Sequence, residues 1–415
     1  MLVVPGSIEE VSRSDTDGQM RPGGSSLPSG TGVLSTGLEV PEQLVVLQPT
    51  PYCNIDCRYC YLPNRDSRER MSDALLDKIL NAVLSSKLLG PRINFVWHAG
   101  EPLVVGRAFF ERAFSTTDRL SDQRSARQVH HSVQTNGLLL NDAWLDLFER
   151  FQVRVGLSID GPAFLHDLHR TTRQGSGTHS RVMRAVDLLK ARCHPFTVIM
   201  VVTRDALDHA DAIFDYFLGI GALYVGLNVE ELESAHVRSS LAGADIENRL
   251  HRFYLRLLQR QEQSARAVRF REFQQYLPLL DRSEDFRAES IFSRSSMVVP
   301  LSILNFDANG NFSTFCPELL GCNAPRFNNF MMGNILTSDL DSILENPVFK
   351  STHEEISAGV RRCEQECHYW RFCGGGSPAN KFFETGRLDV AQTQYCRQHK
   401  QIVLDAVLDH AEACD

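Results

Sequence analysis

Alternation is what most restricts the fold of this protein. From "EQLVVLQPT" onward, short apolar, β-branched runs take turns with segments of helical period. "INFVWH", "QVHHSVQTN", "VRVGLSID", "FTVIMVVT" and "ALYVGLNV" read as strands, and "SDALLDKILNAVLSS" and "HSRVMRAVDLLKAR" as helices between them. Repeated β–α units demand a parallel sheet with right-handed crossovers. Six such strands, closed partway, predict a partial (β/α)6 TIM-like barrel of α/β class with its active site at the strand C-terminal ends.

The organisation follows from where this alternation starts and stops. Residues 1–40 are rich in Gly, Ser, Pro and Asp and hold too few apolar residues for a core, so a disordered tail is expected there. The barrel is expected over 41–230. A helical bridging region follows over 231–294, marked by "DIENRLHRFYLRLLQRQEQ". The region 295–415 opens on "LSILNFDANGNFSTFCPE", a predicted hairpin turning at Asn309–Gly310, and ends in a helix, "CRQHKQIVLDAVLDHAEA".

Composition narrows the class. A formal charge of −8 gives no general attraction to nucleic acid or anionic lipid, and no apolar run approaches the roughly twenty residues of a membrane span. The opening residues lack a basic stretch followed by an apolar core, so a cytoplasmic protein is expected. Of 11 cysteines, three stand at 53, 57 and 60 and six lie between 316 and 396. Clustered cysteines in such a protein point to metal rather than disulfides.

Cys53, Cys57 and Cys60 form C-x3-C-x2-C on a loop just after the first strand. Three thiolates can hold three irons of a [4Fe–4S] cube and leave the fourth open. Structural zinc would need a fourth ligand, and "CRYCYLP" supplies none nearby. The motif, with Tyr59 before the third cysteine, resembles that of the radical S-adenosylmethionine (SAM) superfamily. The resemblance implies that SAM chelates the open iron and is cleaved by an electron from the cluster, giving a radical that takes hydrogen from a substrate. It implies an external electron donor such as a flavodoxin or ferredoxin.

Later loops extend the resemblance. "WHAGEP" is similar to the family's Gly-Gly-Glu-Pro segment, with Ala99 in place of the first glycine, and implies SAM contacts from Ala99, Gly100 and Glu101. "QTNG" and "LSIDGPAFLHDLHR" follow the next strands. From the latter the resemblance carries over Ser158 as a SAM contact and Arg170 as a partner of its carboxylate, a task suited to a guanidinium fork. Each segment taken alone reads equally as a turn or a solvated helix.

The region from about 295 to 410 resembles the SPASM extension of radical SAM enzymes that modify peptides, which carries auxiliary [4Fe–4S] clusters. Cys363, Cys367, Cys373 and Cys396 suffice for one such cluster. Ser377 stands where a further cysteine is usual, so Cys316 and Cys322 cannot complete a second without another ligand. Zinc is the competing reading of these thiolates. The run "CHYWRFCGGGSPANKFFETGRLDVAQTQYC" looks like that of the cyclophane-forming maturases of Gly-rich-repeat precursors. The expected partner is therefore a ribosomally synthesised, Gly-rich precursor peptide, and the expected reaction a carbon–carbon crosslink between side chains, one of them aromatic. The rivals are a sulfatase-maturase-like enzyme making formylglycine, with Glu318 or Asp307 as its catalytic carboxylate, and a non-catalytic iron–sulfur electron carrier.

Overall fold

The computed structural model describes residues 42–124, 127–277 and 295–413. The expected N-terminal tail, the end of the expected bridging region and Cys414 lie outside the described residues.

The β–α units form where the sequence pattern places them. Strand β1 (Gln43–Leu47) is buried along its length and runs into the cysteine loop. A three-residue strand, β2 (Ile55–Cys57), lies in that loop, ahead of helix α1 (Asp73–Ser85). Ser72 caps α1 by accepting a hydrogen bond from the Leu75 N–H. Then come β3 (Arg92–Trp97) with α2 (Arg107–Arg124), and β4 (Gln128–Thr135) with α3 (Asp142–Arg150). Strand β5 (Arg154–Ser158) is followed by the short helix α4 (Ala163–His169), a three-residue strand β6 (Arg170–Thr172) and helix α5 (His179–Ala191). The series closes with β7 (Phe196–Val202), α6 (Ala210–Ile220), β8 (Tyr224–Val229), α7 (Ile246–Gln263) and the small pair β9 (Arg269–Phe270) and α8 (Arg271–Gln274).

The C-terminal region supplies β10 (Ile303–Phe306), β11 (Asn311–Thr314) and β12 (Gly333–Asn334). Helices α9 (Pro347–Glu366), α10 (Trp370–Cys373), α11 (Pro378–Thr385) and α12 (Gln394–Cys396) follow. One π turn, Arg397–Gln401, separates α12 from the last helix, α13 (Ile402–Ala413). The sequence pattern predicts one regular helix there and gives no sign of the π turn. The long helix α9 is also absent from the sequence expectations.

Ten strands make one sheet in the order β12-β11-β10-β1-β3-β4-β5-β7-β8-β9. Every pairing from β10 through β9 is parallel, and β10-β11 and β11-β12 are antiparallel. The six strands anticipated from the alternation are therefore consecutive in the sheet and continue at each edge. Strands such as "FTVIMVV" are apolar at nearly every position because helices cover parallel strands. Burying a side chain such as Phe95 or Val198 fully contributes about 1.5–3 kcal/mol.

The expected hairpin forms, with Gly310 at φ 83° in its turn. Its first strand pairs with β1, so the sheet runs across the expected boundary at residue 295. Among the described residues, no helix is long and apolar enough to cross a membrane.

Candidate active site

The loop carrying the three cysteines is tied down by backbone and arginine contacts. The Cys53 N–H donates to the Arg65 carbonyl at 3.1 Å, and the Met71 N–H donates to the Pro49 carbonyl at 2.8 Å. Arg65 donates through Nη1 to the Cys57 carbonyl at 2.9 Å, and Arg173 through Nε to the Cys53 carbonyl at 2.9 Å. Strand β2 pairs antiparallel with β6, which sets Cys57 directly opposite Arg170.

This loop roofs a cavity at the C-terminal ends of the parallel strands. Cys53, Cys57 and Cys60 line it together with Tyr59 and Arg170. The facing wall comes from the strand ends: Ala99 and Gly100 after β3, Gln134 to Asn136 at β4, Ser158 at β5, Asn228 in β8, and Glu230, Glu231 and Glu233 just after it. Gly100 makes the close approach possible. A Cβ there would lie 2.5 Å from the Tyr52 carbonyl oxygen and 2.6 Å from that of Thr50, and its φ is 59°. Ala99 beside it also adopts a positive φ, 69°, which is strained for an L-residue with a Cβ.

The donor set fits a [4Fe–4S] cluster. Burial pushes the Cys53 and Cys57 thiols up to about 12, with Glu101 adding to the rise at Cys53 and Arg170 opposing it at Cys57. Such thiols ionise when a metal takes the place of the proton. Donors already face the sulfurs: Asn136 Nδ2 stands 3.9 Å from Cys53 Sγ, and Arg170 Nη1 stands 3.8 Å from Cys57 Sγ.

Arg170 has partners that the sequence pattern does not reveal. Its Nε and Nη2 donate to the two oxygens of Asp160, at 2.9 and 3.1 Å, and the Tyr59 hydroxyl donates to the same carboxylate. Asp160 also accepts from the Val201 N–H at 2.9 Å. Despite its burial, Asp160 is held below the usual carboxylate range by Arg170. The cue is present as the aspartate of "SIDG", close to the serine that the family resemblance singles out.

Glu101 does not line the cavity. It lies beneath the floor, 1% exposed, accepting from the Leu103 N–H, the Thr135 hydroxyl and the Asn136 N–H. Burial raises its carboxyl to about 7. Ser158 lines the cavity and accepts from Gln134 Nε2 at 3.0 Å.

A second chamber adjoins the first through Glu231 and Glu233, which line both. Glu318, Ser377, Asn380 and Tyr395 also line it. Burial raises Glu318, and Glu233 is raised well above its ordinary value by burial and by neighbouring Glu231. Asn380 Nδ2 donates to Glu231 at 2.7 Å. The sequence shows the glutamates of "NVEELE" but gives no sign that Glu318, distant in the chain, meets Glu231 and Glu233. Asp307, by contrast, lines neither chamber. Its carboxylate accepts from the N–H groups of Asn309 and Asn311, at 2.8 and 3.0 Å, and fastens the hairpin turn.

Cys363, Cys367, Cys373 and Cys396 line a third cavity with Gly376, Lys400 and Gln401. Among the described residues, no three His, Cys, Asp or Glu side chains are drawn together around a single-ion position. Cys316 and Cys322 line none of the three cavities. Cys316 Sγ stands 3.9 Å from Ser377 Oγ.

Residues 47–217 match the model of the radical SAM superfamily. Over that stretch the protein carries a radical SAM domain. Such a domain implies a [4Fe–4S] cluster and SAM, and makes this a radical SAM enzyme. It is 39% identical over 376 residues to an uncharacterised protein of Synechocystis sp., covering 90% of this chain and 92% of that one. It is 35% identical over 201 residues to a serine-type anaerobic sulfatase-maturating enzyme of Klebsiella aerogenes, spanning 48% of this chain and 49% of that relative. Among solved structures, an anaerobic sulfatase-maturating enzyme (anSMEcpe) with bound AdoMet and a Cp18Cys peptide superposes with TM-score 0.70 at 21% identity. That match covers 90% of this chain and all of the other. Streptococcus suis SuiB bound to its precursor peptide SuiA gives 0.62 at 15% identity, over 86% of this chain and 76% of that one. These superpositions show the shared fold.

Proposed function

We propose that this radical SAM enzyme oxidises a ribosomally synthesised precursor peptide by two electrons, joining an aromatic side chain to a nearby carbon as a cyclophane. The observation that carries the reading is the set of four cysteines around a cavity of their own, apart from the Cys53–Cys57–Cys60 cavity. Four thiolates match the ligand number of a closed, auxiliary [4Fe–4S] cluster.

When bound, the first cluster and SAM supply one-electron chemistry that removes a hydrogen atom from the substrate. The protein's own residues do the rest. Cys53, Cys57 and Cys60 hold the cluster, and Ser158, Gln134 and Asn228 offer polar groups to SAM from the opposite wall. Arg170, fixed by Asp160, keeps a guanidinium N–H toward Cys57. Crosslinking removes two hydrogens. One leaves as an atom, and the other as a proton and an electron. The carboxyl groups of the second chamber, Glu231, Glu233 and Glu318, are the candidate proton acceptors, and Cys363, Cys367, Cys373 and Cys396 would hold a cluster able to accept an electron. A flavodoxin or ferredoxin in the cytoplasm would supply the reducing electron.

Peptide-bound neighbours, anSMEcpe with a Cp18Cys peptide and SuiB with SuiA, support a peptide substrate. The Gly-rich character rests on the resemblance of the "GGGSPANK" run. A second reading, formylglycine formation, is supported by the sulfatase-maturating relatives and by Glu318 in the second chamber. Co-expression with a Gly-rich peptide followed by mass spectrometry decides between them. Crosslinking and serine oxidation both remove two hydrogens, so the product is also treated with a hydrazide. A product that does not react supports the crosslink; an aldehyde adduct supports the rival. An unchanged peptide with no 5′-deoxyadenosine formed would sink both.

A further inference from the structure

Lys381 is 2% exposed on α11. A buried ammonium needs a counter-charge, yet among the described residues no carboxylate forms an ion pair with it. Its Nζ donates instead to Cys363 Sγ at 3.4 Å. Two glycines keep the backbone clear of this contact. A Cβ on Gly359 would lie 3.1 Å from Lys381 Nζ and 2.3 Å from the Leu388 carbonyl oxygen. One on Gly376 would lie 3.3 Å from Cys396 Sγ. The π turn brings Lys400 and Gln401, neighbours in sequence, to the lining of the cavity. Gln401 Nε2 stands 3.9 Å from Cys367 Sγ.

We infer that Lys381, supported by Lys400 and Gln401, raises the reduction potential of the cluster held by Cys363, Cys367, Cys373 and Cys396. The inference rests on the four-cysteine reading above and goes beyond it. Four thiolates around an iron–sulfur core leave net negative charge, and reduction adds more. A fixed cation and N–H donors at the sulfurs stabilise the reduced form more than the oxidised one. The cavity is thereby suited to receive an electron from the substrate side rather than to deliver one. Lys381 acts through Cys363 and is a positioning residue.

The test uses the full-length protein, reconstituted anaerobically, with Cys53, Cys57 and Cys60 replaced by Ala so that the tail cluster alone contributes the spectrum. In this background a redox titration followed by electron paramagnetic resonance gives one midpoint. Lys381→Met is expected to keep about four irons and to shift the midpoint to more negative potential, while Lys381→Arg stays near the parent. An unshifted midpoint in loaded Lys381→Met overturns the inference and leaves the four-cysteine reading intact. A parent that holds zinc or no cluster overturns both. If Lys381→Met fails to load, Lys381→Gln is titrated with the same expectation. Failure of both neutral variants to load, with Lys381→Arg loaded, would assign the lysine to assembly and overturn its effect on potential.

Discussion

Arg170 and Asp160 form a buried, two-point ion pair directly behind the second cysteine of the radical SAM motif. Both are largely closed to solvent, at 7% and 2% exposure, and the pair touches Tyr59 and Cys57 as well as each partner. A pair in this position is costly to break from one side, because the remaining charge is left buried and unmatched. Arg170→Met should therefore destabilise the protein by about 3–5 kcal/mol. Adding Asp160→Asn should recover part of that loss. Denaturant titration of the two variants checks this, and a double variant less stable than the single would contradict it. SAM affinity, measured by equilibrium dialysis on loaded Arg170→Met, should fall as well.

The three motif cysteines and the four tail cysteines sit in separate cavities. Replacing Cys53, Cys57 and Cys60 by Ala should lower bound iron from about eight per protein molecule to about four, and 5′-deoxyadenosine formation should cease. Iron and sulfide analysis beside product chromatography measures both. Continued formation at the parent rate would remove the assignment.

Two neighbouring residues after β3 should respond in opposite directions. Gly100→Ala places a methyl against the Tyr52 and Thr50 carbonyls, which should cost about 1–3 kcal/mol and loosen iron binding in the cysteine loop. Ala99→Gly relieves a left-handed alanine and should raise stability, by at most about 1 kcal/mol. Thermal melting of the two variants gives the signs.

Glu101 gives a pH dependence with a defined sign. Its folded-state carboxyl is raised to about 7 by burial, from an ordinary value of 4.5. The folded protein thus binds this proton more tightly than the unfolded one. The associated stability is fully present below about pH 4.5 and is lost as pH rises toward 7. In iron-free protein, Glu101→Gln should flatten the fall across that window. A fall of the same size in the variant would show that other groups cause it.

Much of the fold is readable because parallel strands must be apolar throughout and their crossovers amphipathic; "FTVIMVV" and "DALLDKILNAVLS" can hardly be exchanged. The motif spacing marks the roof of the cavity for a similar reason, since three ligands of one cluster must be close in sequence or fixed by a fold. What stays hidden depends on contacts between distant segments. Nothing local to Asp160 shows that it will meet Arg170 and Tyr59, and nothing local to Lys381 shows that a sulfur will be its partner. The motif marks Glu101 as a contact facing SAM, but three donors from the β3 and β4 ends turn it into a buried brace. Asp307 has the chemistry of a catalytic carboxylate, and its own turn claims it.

The parallel pairing of β10 with β1 bears on how the protein can be divided. Proteolysis or truncation ahead of residue 295 would not release a self-sufficient barrel. It would strip the partner from the strand that feeds the cysteine loop and leave the Leu44–Leu47 backbone as an open, apolar edge, a template for intermolecular pairing. The two halves are therefore expected to fold as one cooperative unit.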